Sequence, residues 1–365
     1  MAPSPLRLVV VMDPIGSIDI EADTSFAIML EAQRRGHRVL CCQPADLGVA
    51  DGRALARVRP VRLQRRAGSH AELGEPRTLV LDEADVVLQR KDPPVDAEYV
   101  AATQILGLCR KALVLNRPEG ILAANEKLYA LHFADLMPES LVTREIPRLV
   151  DFMAKLGGEM IVKPLDGRGG EGVFYLRHDD RNLFSILEQS TGFGRRWVMA
   201  QRYLEEIREG DKRILLLDGE VLGTLLRVPT GVELRANLHV GGRPEVAELT
   251  DRDRAIVERL APALRRDGLF FVGIDVIGGY LTEVNVTSPT GVQEIDRLLG
   301  VRLEERILEA IEGKAAERPR SEPKASEGHQ GKAAERPRSE PKASEGHQGK
   351  AAERPRSEPK ASEVQ

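Results

Sequence analysis

The amino-acid sequence predicts two folded domains of different class, an open α/β domain at residues 1–122 and an α+β domain at residues 123–312. The first class is indicated by a continuous apolar run, Leu6 to Met12, which precedes a helical pattern and is typical of a buried parallel strand. The second class is indicated by many short strand patterns, several of them joined by tight glycine turns. Residues 313–365 repeat a polar segment and predict a disordered tail.

The first domain alternates strand patterns with helix patterns. After the opening strand, apolar residues recur at helical spacing from Ser25 to Arg35, and this pattern stops at Gly36. A second strand, a helix and a third strand are predicted at residues 85–88, 96–110 and 113–115. Ligands of open α/β sheets bind at the carboxyl ends of the strands, so we expect the charged residues that follow these strands to form a binding edge.

The second domain is predicted to pair antiparallel strands and to cover one face of them with helices. Strands are predicted at residues 160–163, 172–176, 197–201, 212–217, 221–227, 269–276 and 280–286. Helices are predicted at residues 148–156, 182–189, 251–266 and 293–311, of which the last closes the fold. The turn Gly167-Arg168-Gly169-Gly170 lacks the spacing of a dinucleotide-binding motif, and the sequence has no Walker-type loop, so both of those classes are disfavoured.

The C-terminal tail is built from a segment that starts at Gly313, recurs from Gly331 and is repeated in truncated form from Gly349. This segment contains no Leu, Ile or aromatic residue, so it cannot bury enough apolar surface to offset chain entropy. The tail carries 12 Lys and Arg against 9 Asp and Glu, a charge of +3 that leaves −7 for the preceding residues. Nucleic acid is therefore not an expected partner, and we interpret the tail as an inert tandem duplication rather than a tether.

The remaining composition predicts a soluble protein of the cytoplasm. With 42% hydrophobic residues the chain can bury a large core, yet no apolar run reaches the ~18 residues that a membrane span requires. The N-terminus lacks the basic and apolar pattern of a signal peptide. The three cysteines, Cys41, Cys42 and Cys109, lack metal-ligand spacing, and so small a number suits a reducing compartment.

Two lysines and a glycine-rich turn predict a binding site for ATP phosphates. Lys163 follows an apolar strand at the start of the turn at residues 166–170, and Lys127 precedes it in the sequence. Lysines neutralise phosphate oxygens, and a glycine-rich turn can direct its backbone N–H groups at them. A solvated lysine and an ordinary hairpin turn are the alternative interpretations of these residues.

An acidic hairpin predicts a divalent metal beside those phosphates. Asp275 lies in one apolar strand pattern, Glu283 and Asn285 lie in the next, and Gly278-Gly279 joins the two. Because side chains alternate along a strand, Glu283 and Asn285 project from one face and Asp275 can meet them across the ladder. Carboxylate and amide oxygens are ligands that Mg²⁺ prefers.

Seven segments, in this order along the chain, carry a resemblance to one family. They are Val11-Met12-Asp13-Pro14-Ile15, Asp23-Thr24-Ser25-Phe26-Ala27, Arg90-Lys91-Asp92-Pro93-Pro94, Asn125-Glu126-Lys127-Leu128, Lys163-Pro164-Leu165-Asp166-Gly167, Gly210-Asp211-Lys212-Arg213 and Glu283-Val284-Asn285-Val286-Thr287-Ser288-Pro289-Thr290. They resemble the bacterial glutathione synthetases, ATP-grasp ligases that join γ-glutamylcysteine to glycine. The resemblance runs from about residue 6 to residue 311. It implies a pre-ATP-grasp domain followed by an ATP-grasp domain, ATP as co-substrate, Mg²⁺ or Mn²⁺ as cofactor, and a cytoplasmic homotetramer.

The resemblance also implies a role for each matching residue. The implied ATP-binding residues are Lys127, Lys163, Gly167, Gly169, Gly170, Gln201, Tyr203, Leu204 and Asp211. The implied metal ligands are Asp275, Glu283 and Asn285, and the implied catalytic arginines are Arg213, Arg227 and Arg235. The implied substrate-binding residues are Asp13, Ser25, Arg90, Asn237, Ser288 and Thr290.

Three hypotheses for the function remain open from the sequence. The first is a glutathione synthetase, the second is an ATP-grasp ligase for a different acid or amine, and the third is a non-catalytic ATP-binding protein. The segments at residues 12–26 and 90–94 favour the first over the second. We expect Glu283→Ala or Asn285→Ala to abolish the product with little loss of folding.

Overall fold

The computed structural model of this chain describes residues 4–167, 169–230, 236 and 241–318. Its N-terminal part contains the strands β1 (Arg7–Val11), β2 (Arg38–Cys42), β3 (Leu47–Ala50), β4 (Arg53–Leu63), β5 (Ala71–Leu73), β6 (Arg77–Val80), β7 (Val86–Gln89) and β8 (Leu113–Leu115). They form one sheet in which β2, β1, β7 and β8 are neighbours in that order and run parallel. The long strand β4 pairs antiparallel with β2 and carries β3, β5 and β6.

The parallel strands are apolar throughout because both faces of this sheet are covered. In β1, Leu8 and Val10 belong to one core cluster, whereas Val9 and Val11 belong to another on the opposite face. The helices of this part are α1 (Thr24–Arg34), α2 (Ala97–Leu106) and α3 (Pro118–Ala123). Helix α1 begins where the Asp23 carboxylate accepts a hydrogen bond from the backbone N–H of Phe26 at 2.6 Å.

A second, four-stranded antiparallel sheet follows. It consists of β9 (Ser140–Thr143), β10 (Glu159–Pro164), β11 (Phe174–Arg177) and β12 (Val198–Gln201), in the spatial order β11-β10-β12-β9. The helices α4 (Ile146–Lys155) and α5 (Leu183–Ser190) accompany it. Leu149 of α4, Leu187 of α5 and Val162 of β10 share one core cluster, which fixes the lysine that follows Val162 at the end of its strand.

A third, five-stranded antiparallel sheet carries the acidic hairpin. It consists of β13 (Asp211–Leu217), β14 (Glu220–Val228), β15 (Arg243–Val246), β16 (Phe271–Ile277) and β17 (Tyr280–Asn285), in the order β15-β14-β13-β16-β17. Helix α6 (Asp251–Asp267) packs Ile256 and Leu260 against Ile274 and Val284 on one face of this sheet. The opposite face is therefore available for polar residues.

Two C-terminal helices join the third sheet to the first part of the chain. They are α7 (Val292–Leu299) and α8 (Leu303–Ala316), and the sequence had predicted a single helix at residues 293–311. The break occurs because Gly300 has a left-handed φ of 65° and ends α7. Helix α8 packs on α1, and Arg35 lies 3.2 Å from Glu312 across this contact.

Apart from the divided C-terminal helix, the predicted strands and helices of the second domain are present, with ends shifted by a few residues. In the first domain the strands β2 to β6 were not predicted from the sequence. None of the helices that the structure describes combines the length and the apolar character needed to cross a membrane. The predicted start of the disordered tail at residue 313 is wrong, because residues 313–316 form the last turn of α8. From residue 319 onwards the predicted tail lies outside the described part.

Candidate active site

One face of the five-stranded sheet carries a row of charged side chains. The strand register places Arg213 opposite Asp275, and Asp275 opposite Glu283. On the other side of β13, Asp211 lies opposite Arg227. Because side chains alternate along each strand, these residues project from the face opposite to α6. The hairpin geometry predicted from the sequence is therefore observed.

Asp275 is held between two buried arginines. Its Oδ2 lies 3.0 Å from Nη2 of Arg213 and 3.0 Å from Nη2 of Arg227. Burial opposes ionisation of Asp275, but the two guanidinium groups outweigh it and hold the pKa of the carboxyl well below its ordinary value. Burial likewise opposes the charge of Arg227, and the carboxylates of Asp211 and Asp275 hold its pKa above its ordinary value. Asp275 and Arg227 therefore remain charged although they are buried, whereas burial raises the pKa of Asp211 to about 7.

The two predicted phosphate lysines converge on Glu283 from different elements. Nζ of Lys163, at the end of β10, lies 3.5 Å from Oε1 of Glu283, and Nζ of Lys127 lies 3.6 Å from the same oxygen. Burial lowers the pKa of Lys163, and the charge of Glu283 opposes this shift. Burial would raise the pKa of Glu283, but the two lysines outweigh it and lower the pKa. Two ammonium groups against one carboxylate leave positive charge for an anion such as a phosphate.

The glycine turn is attached to the segment that carries the first lysine. Nζ of Lys127 donates a hydrogen bond to the carbonyl oxygen of Gly167 at 3.0 Å. A Cβ at Gly167 would lie 2.6 Å from Cγ of Pro164, and Gly169 has a left-handed φ of 57°. Glycine is therefore required at both positions, and the turn can approach a ligand with its backbone.

A cavity of about 390 Å³ lies between the four-stranded and five-stranded sheets, a size typical of small-molecule sites. Its apolar end contains Tyr175 and Tyr203, whose ring centroids are 4.5 Å apart. Its polar end contains the lysines and the acidic hairpin. Its lining includes every residue that the sequence assigned to ATP, namely Lys127, Lys163, Gly167, Gly169, Gly170, Gln201, Tyr203, Leu204 and Asp211. A flat aromatic and aliphatic wall at one end and cations at the other suit a nucleotide.

A smaller cavity of about 100 Å³ adjoins the polar end of the first. Gly167, Gly169 and Glu283 line both cavities. The predicted residues in the wall of the smaller cavity, besides these, are Arg213, Arg227, Asn285, Ser288 and Thr290. The two cavities therefore meet at Glu283, where a phosphoryl group on one side can reach an acceptor on the other.

Three predicted substrate residues lie behind this smaller cavity rather than in its wall. Oδ2 of Asp13 accepts a hydrogen bond from the backbone N–H of Asp92 at 3.0 Å. Arg90 donates to Oγ of Ser25 at 3.0 Å and to the carbonyl oxygen of Pro289 at 3.0 Å. Since Asp92 and Pro289 line the cavity, the three residues support its wall, and their direct contact with substrate stays a prediction. The predicted residues Arg235 and Asn237 lie outside the described part of the chain.

The acidic hairpin fits a divalent cation by the chemistry of its donors. Within the described residues no group of three or more His, Cys, Asp and Glu side chains is placed to hold a metal, so a site here needs the amide of Asn285 beside the two carboxylates. Nδ2 of Asn285 lies 3.4 Å from Oδ2 of Asp275, which orients this amide. Nearby, Oδ1 of Asp211 is buried and accepts no hydrogen bond from the described residues. These hard oxygen donors suit a cation that arrives with the phosphates.

The sequence interpretation missed some residues of the two cavities. Glu126 and Thr287 line the smaller cavity, and Tyr175 lines the larger one. Glu126 and Thr287 fall inside segments already singled out, next to Lys127 and after Asn285, so proximity to these motifs was the available signal. Nothing in its local sequence marked Tyr175, because only the pairing of β10 with β11 and β12 brings it to the cavity.

Solved structures share this architecture. D-cycloserine synthetase DcsG matches with a TM-score of 0.59 and 15% identity over 84% of this chain and 99% of that chain. The ATP-grasp ligase PsnB, complexed with minimal precursor, Mg and ADP, matches with a TM-score of 0.55 and 18% identity over 85% of this chain and 98% of that chain. Identities this low show the fold alone. A sequence model of an ATP-grasp domain also matches residues 126–300, so the class of this protein is an ATP-grasp ligase.

The sequence comparisons identify the family within that class. The N-terminal domain of the prokaryotic glutathione synthetases matches residues 6–121, and the ATP-grasp domain of the same family matches residues 126–300. Glutathione synthetase of Mesorhizobium japonicum is 47% identical over 310 residues, which cover 85% of this chain and 99% of the relative. The enzyme of Gloeobacter violaceus is 48% identical over 311 residues, 83% of this chain and 96% of the relative. The chain belongs to the prokaryotic glutathione synthetase family, which confirms the resemblance and the two-domain fold class predicted from its motifs.

Proposed function

We propose that this chain joins the cysteine carboxylate of γ-glutamylcysteine to the amine of glycine, with ATP converted to ADP and phosphate. The observation that carries the proposal is the convergence of Lys127 and Lys163 on Glu283, at 3.6 and 3.5 Å, where the two cavities meet. An amide does not form from a carboxylate and an amine at a useful rate in water. The carboxylate must first accept the γ-phosphoryl group, and glycine then displaces phosphate from the acyl phosphate.

The nucleotide is assigned to the larger cavity. The adenine would lie at the apolar end beside Tyr203 and Leu204, and the phosphates would lie at Lys127, Lys163 and the glycine turn. The turn would exclude water from the acyl phosphate, because it forms part of the wall of both cavities. The nine residues named above as lining this cavity are the proposed ATP site.

Asp275, Glu283 and Asn285 are the proposed ligands of Mg²⁺ or Mn²⁺. A divalent ion there would stabilise negative charge on the phosphoryl group during transfer. The protein residues bring these oxygens to the junction of the cavities through the register of β16 with β17. Support for the assignment comes from the donor set and from the charges that surround it.

The smaller cavity is assigned to the dipeptide and glycine. Arg213 and Arg227 are proposed to stabilise carboxylate and phosphoryl charge, since a guanidinium forms paired hydrogen bonds with such groups. Arg235 and Asn237 are proposed to join them from the segment at residues 229–242, by resemblance to the family. Ser288 and Thr290 are proposed to contact the peptide, with Asp13, Ser25 and Arg90 on the side of the first domain.

The proposed enzyme is a homo-oligomer of the cytoplasm. The family resemblance supports a tetramer, and size-exclusion chromatography with light scattering tests it directly. Cys41, Cys42 and Cys109 are all unpaired, which supports a reducing compartment. Burial raises the pKa of the Cys42 thiol to about 12, so this group is unreactive and serves packing.

The test of the function is a substrate-dependence assay with the purified full chain and Mg²⁺ and ATP. We expect phosphate release that depends on γ-glutamylcysteine, and glutathione only when glycine is also present. Phosphate release with unrelated acids, or a product with other amines but not with glycine, would instead indicate a ligase for different substrates. If no combination of acid and amine leads to phosphate release from ATP, both ligase functions are wrong.

A further inference from the structure

Glu126 is a carboxylate of the smaller cavity to which no role has been assigned. It lies between Asn125 and Lys127 and lines that cavity. Its Oε1 accepts a hydrogen bond from Oγ1 of Thr287 at 3.0 Å. Its backbone carbonyl oxygen accepts a hydrogen bond from the backbone N–H of Val284 at 2.9 Å, so Glu126 is held against β17 next to Glu283. The carboxylate is therefore fixed beside the junction of the two cavities.

Glu126 differs from Asp275 and Glu283 in forming no ion pair with the lysines and arginines that the structure describes. Asp275 is paired with two arginines, and Glu283 is paired with two lysines. Within the described part of the chain, no Lys, Arg or His nitrogen forms an ion pair with Glu126. Burial, followed by the charge of Glu283, raises the pKa of Glu126 to about 7, and the charges of Lys127 and Arg213 only partly oppose this shift. A partly buried carboxylate that forms no direct ion pair is unfavourable unless a ligand supplies a cation at close range.

The cavity wall has charges of opposite sign on separate residues. Arg213 and Arg227 supply positive charge, whereas Glu126 and Asp92 supply negative charge. Such a cavity suits zwitterions, which carry an ammonium and a carboxylate on one small molecule. The Asp92 carboxylate accepts a hydrogen bond from Ser288, and the backbone N–H of Asp92 donates one to Asp13 of the first domain. Glu126 is instead next to Lys127, at the end where the phosphoryl group is proposed to react.

We propose that Glu126 is a positioning residue that binds the ammonium group of the acceptor amino acid and holds its nitrogen beside the acyl phosphate. The proposal rests on the function given above. The nitrogen releases one proton to solvent and attacks the carbonyl carbon, so that a C–N bond forms. The C–O bond to phosphate then breaks, phosphate leaves with the electron pair, and the nitrogen loses a second proton to give the amide. Glu126 acts before this step, by orientation.

The test compares two nucleophiles in wild type and Glu126→Gln. The side-chain amide that this substitution introduces cannot attract an ammonium charge, but it keeps an oxygen that can accept the hydrogen bond from Thr287. Glycine arrives as a zwitterion, whereas hydroxylamine is neutral near pH 7 and converts the acyl phosphate to a hydroxamate. We expect Glu126→Gln to raise the KM for glycine by about 10- to 100-fold, as for the loss of a charged hydrogen bond. The rate of hydroxamate formation and the KM values for ATP and γ-glutamylcysteine should change by less than about twofold.

The controls separate this proposal from the proposed function. Glu188→Gln, on the exposed surface of α5, removes a similar charge away from the cavities and should behave as wild type with both nucleophiles. An equal loss with glycine and hydroxylamine, or an unchanged KM for glycine, would overturn the role of Glu126. If wild type forms neither glutathione nor hydroxamate, the proposed function itself is wrong.

Discussion

Glu283 has two separable tasks, and Glu283→Ala tests both. It is a proposed metal ligand, so its loss should abolish glutathione formation. It is also the shared partner of Lys127 and Lys163, whose side chains are only 3% and 7% exposed. The alanine variant therefore leaves two buried ammonium groups without their counter-charge, and it should lower the free energy of unfolding as well as the activity.

The size of the stability loss follows from the distances. At 3.5 Å, the separation between Lys163 and Glu283, unit charges attract by about 5 kcal/mol at an effective dielectric constant of about 20. Breaking a buried pair by removing one partner typically costs about 3–5 kcal/mol. The Glu283 side chain is 23% exposed, and solvent screening reduces the expected loss to about 2–3 kcal/mol. This corresponds to a fall in Tm of roughly 4–10 °C.

The assay measures Tm by scanning calorimetry and glutathione formation in parallel, with and without ATP. Asn285→Ala is the matched control, because it removes a proposed ligand that is uncharged and whose Nδ2 lies 3.4 Å from Oδ2 of Asp275. We expect both variants to form no glutathione, but only Glu283→Ala to show a Tm lower by several degrees. ATP should partly restore this Tm, because its phosphates would neutralise the two lysines. The sequence alone had suggested little loss of folding for either. Normal turnover of Glu283→Ala would refute the metal assignment, and an unchanged Tm would refute the electrostatic reasoning.

Four further predictions follow from other parts of the chain. Glu126→Gln should raise the free energy of unfolding by about 1–2 kcal/mol above about pH 7 and leave it unchanged near pH 4. The pKa of Glu126 is raised from 4.5 to about 7 in the folded protein, so wild type loses stability as the pH rises from 4.5 to about 7. Destabilisation of the variant at both pH values in denaturant titrations would contradict this reasoning. Lys163→Met should weaken ATP binding in calorimetric titrations at least about tenfold, because the proposed buried phosphate contact is lost, and wild-type affinity would disprove this role. Gly167→Ala should reduce kcat/KM at least about tenfold, because its Cβ would lie 2.6 Å from Cγ of Pro164. Gly313→Ala is the control: no atom lies within 4 Å of a Cβ there, and the variant should gain about 0.5–1 kcal/mol in free energy of unfolding. Deletion of residues 319–365 should change neither Tm nor kcat/KM, and a loss of either would show that the tail contributes.

Local chemistry explains why much of the site could be predicted from the sequence. Lys163 follows an apolar strand and precedes a glycine turn, and Glu283 and Asn285 are spaced by two within a strand, so local rules place them. The strands β2 to β6 were harder to predict, because β4 depends on four separate neighbours for its pairing. The break at Gly300 was missed because an isolated glycine inside a helical pattern is often tolerated.

By itself, the sequence determined the family and most elements of the second domain, and it predicted residues for phosphate and metal, because these depend on neighbouring residues. Only the tertiary structure decided which charges meet. Arg213 and Arg227 lie on adjacent strands and share Asp275, which neither spacing nor residue type reveals. The same holds for Glu126, whose position in the wall of the smaller cavity depends on the packing of distant segments. Electrostatic pairing depends on distances of a few ångströms across the fold, and the packing of the three sheets sets those distances.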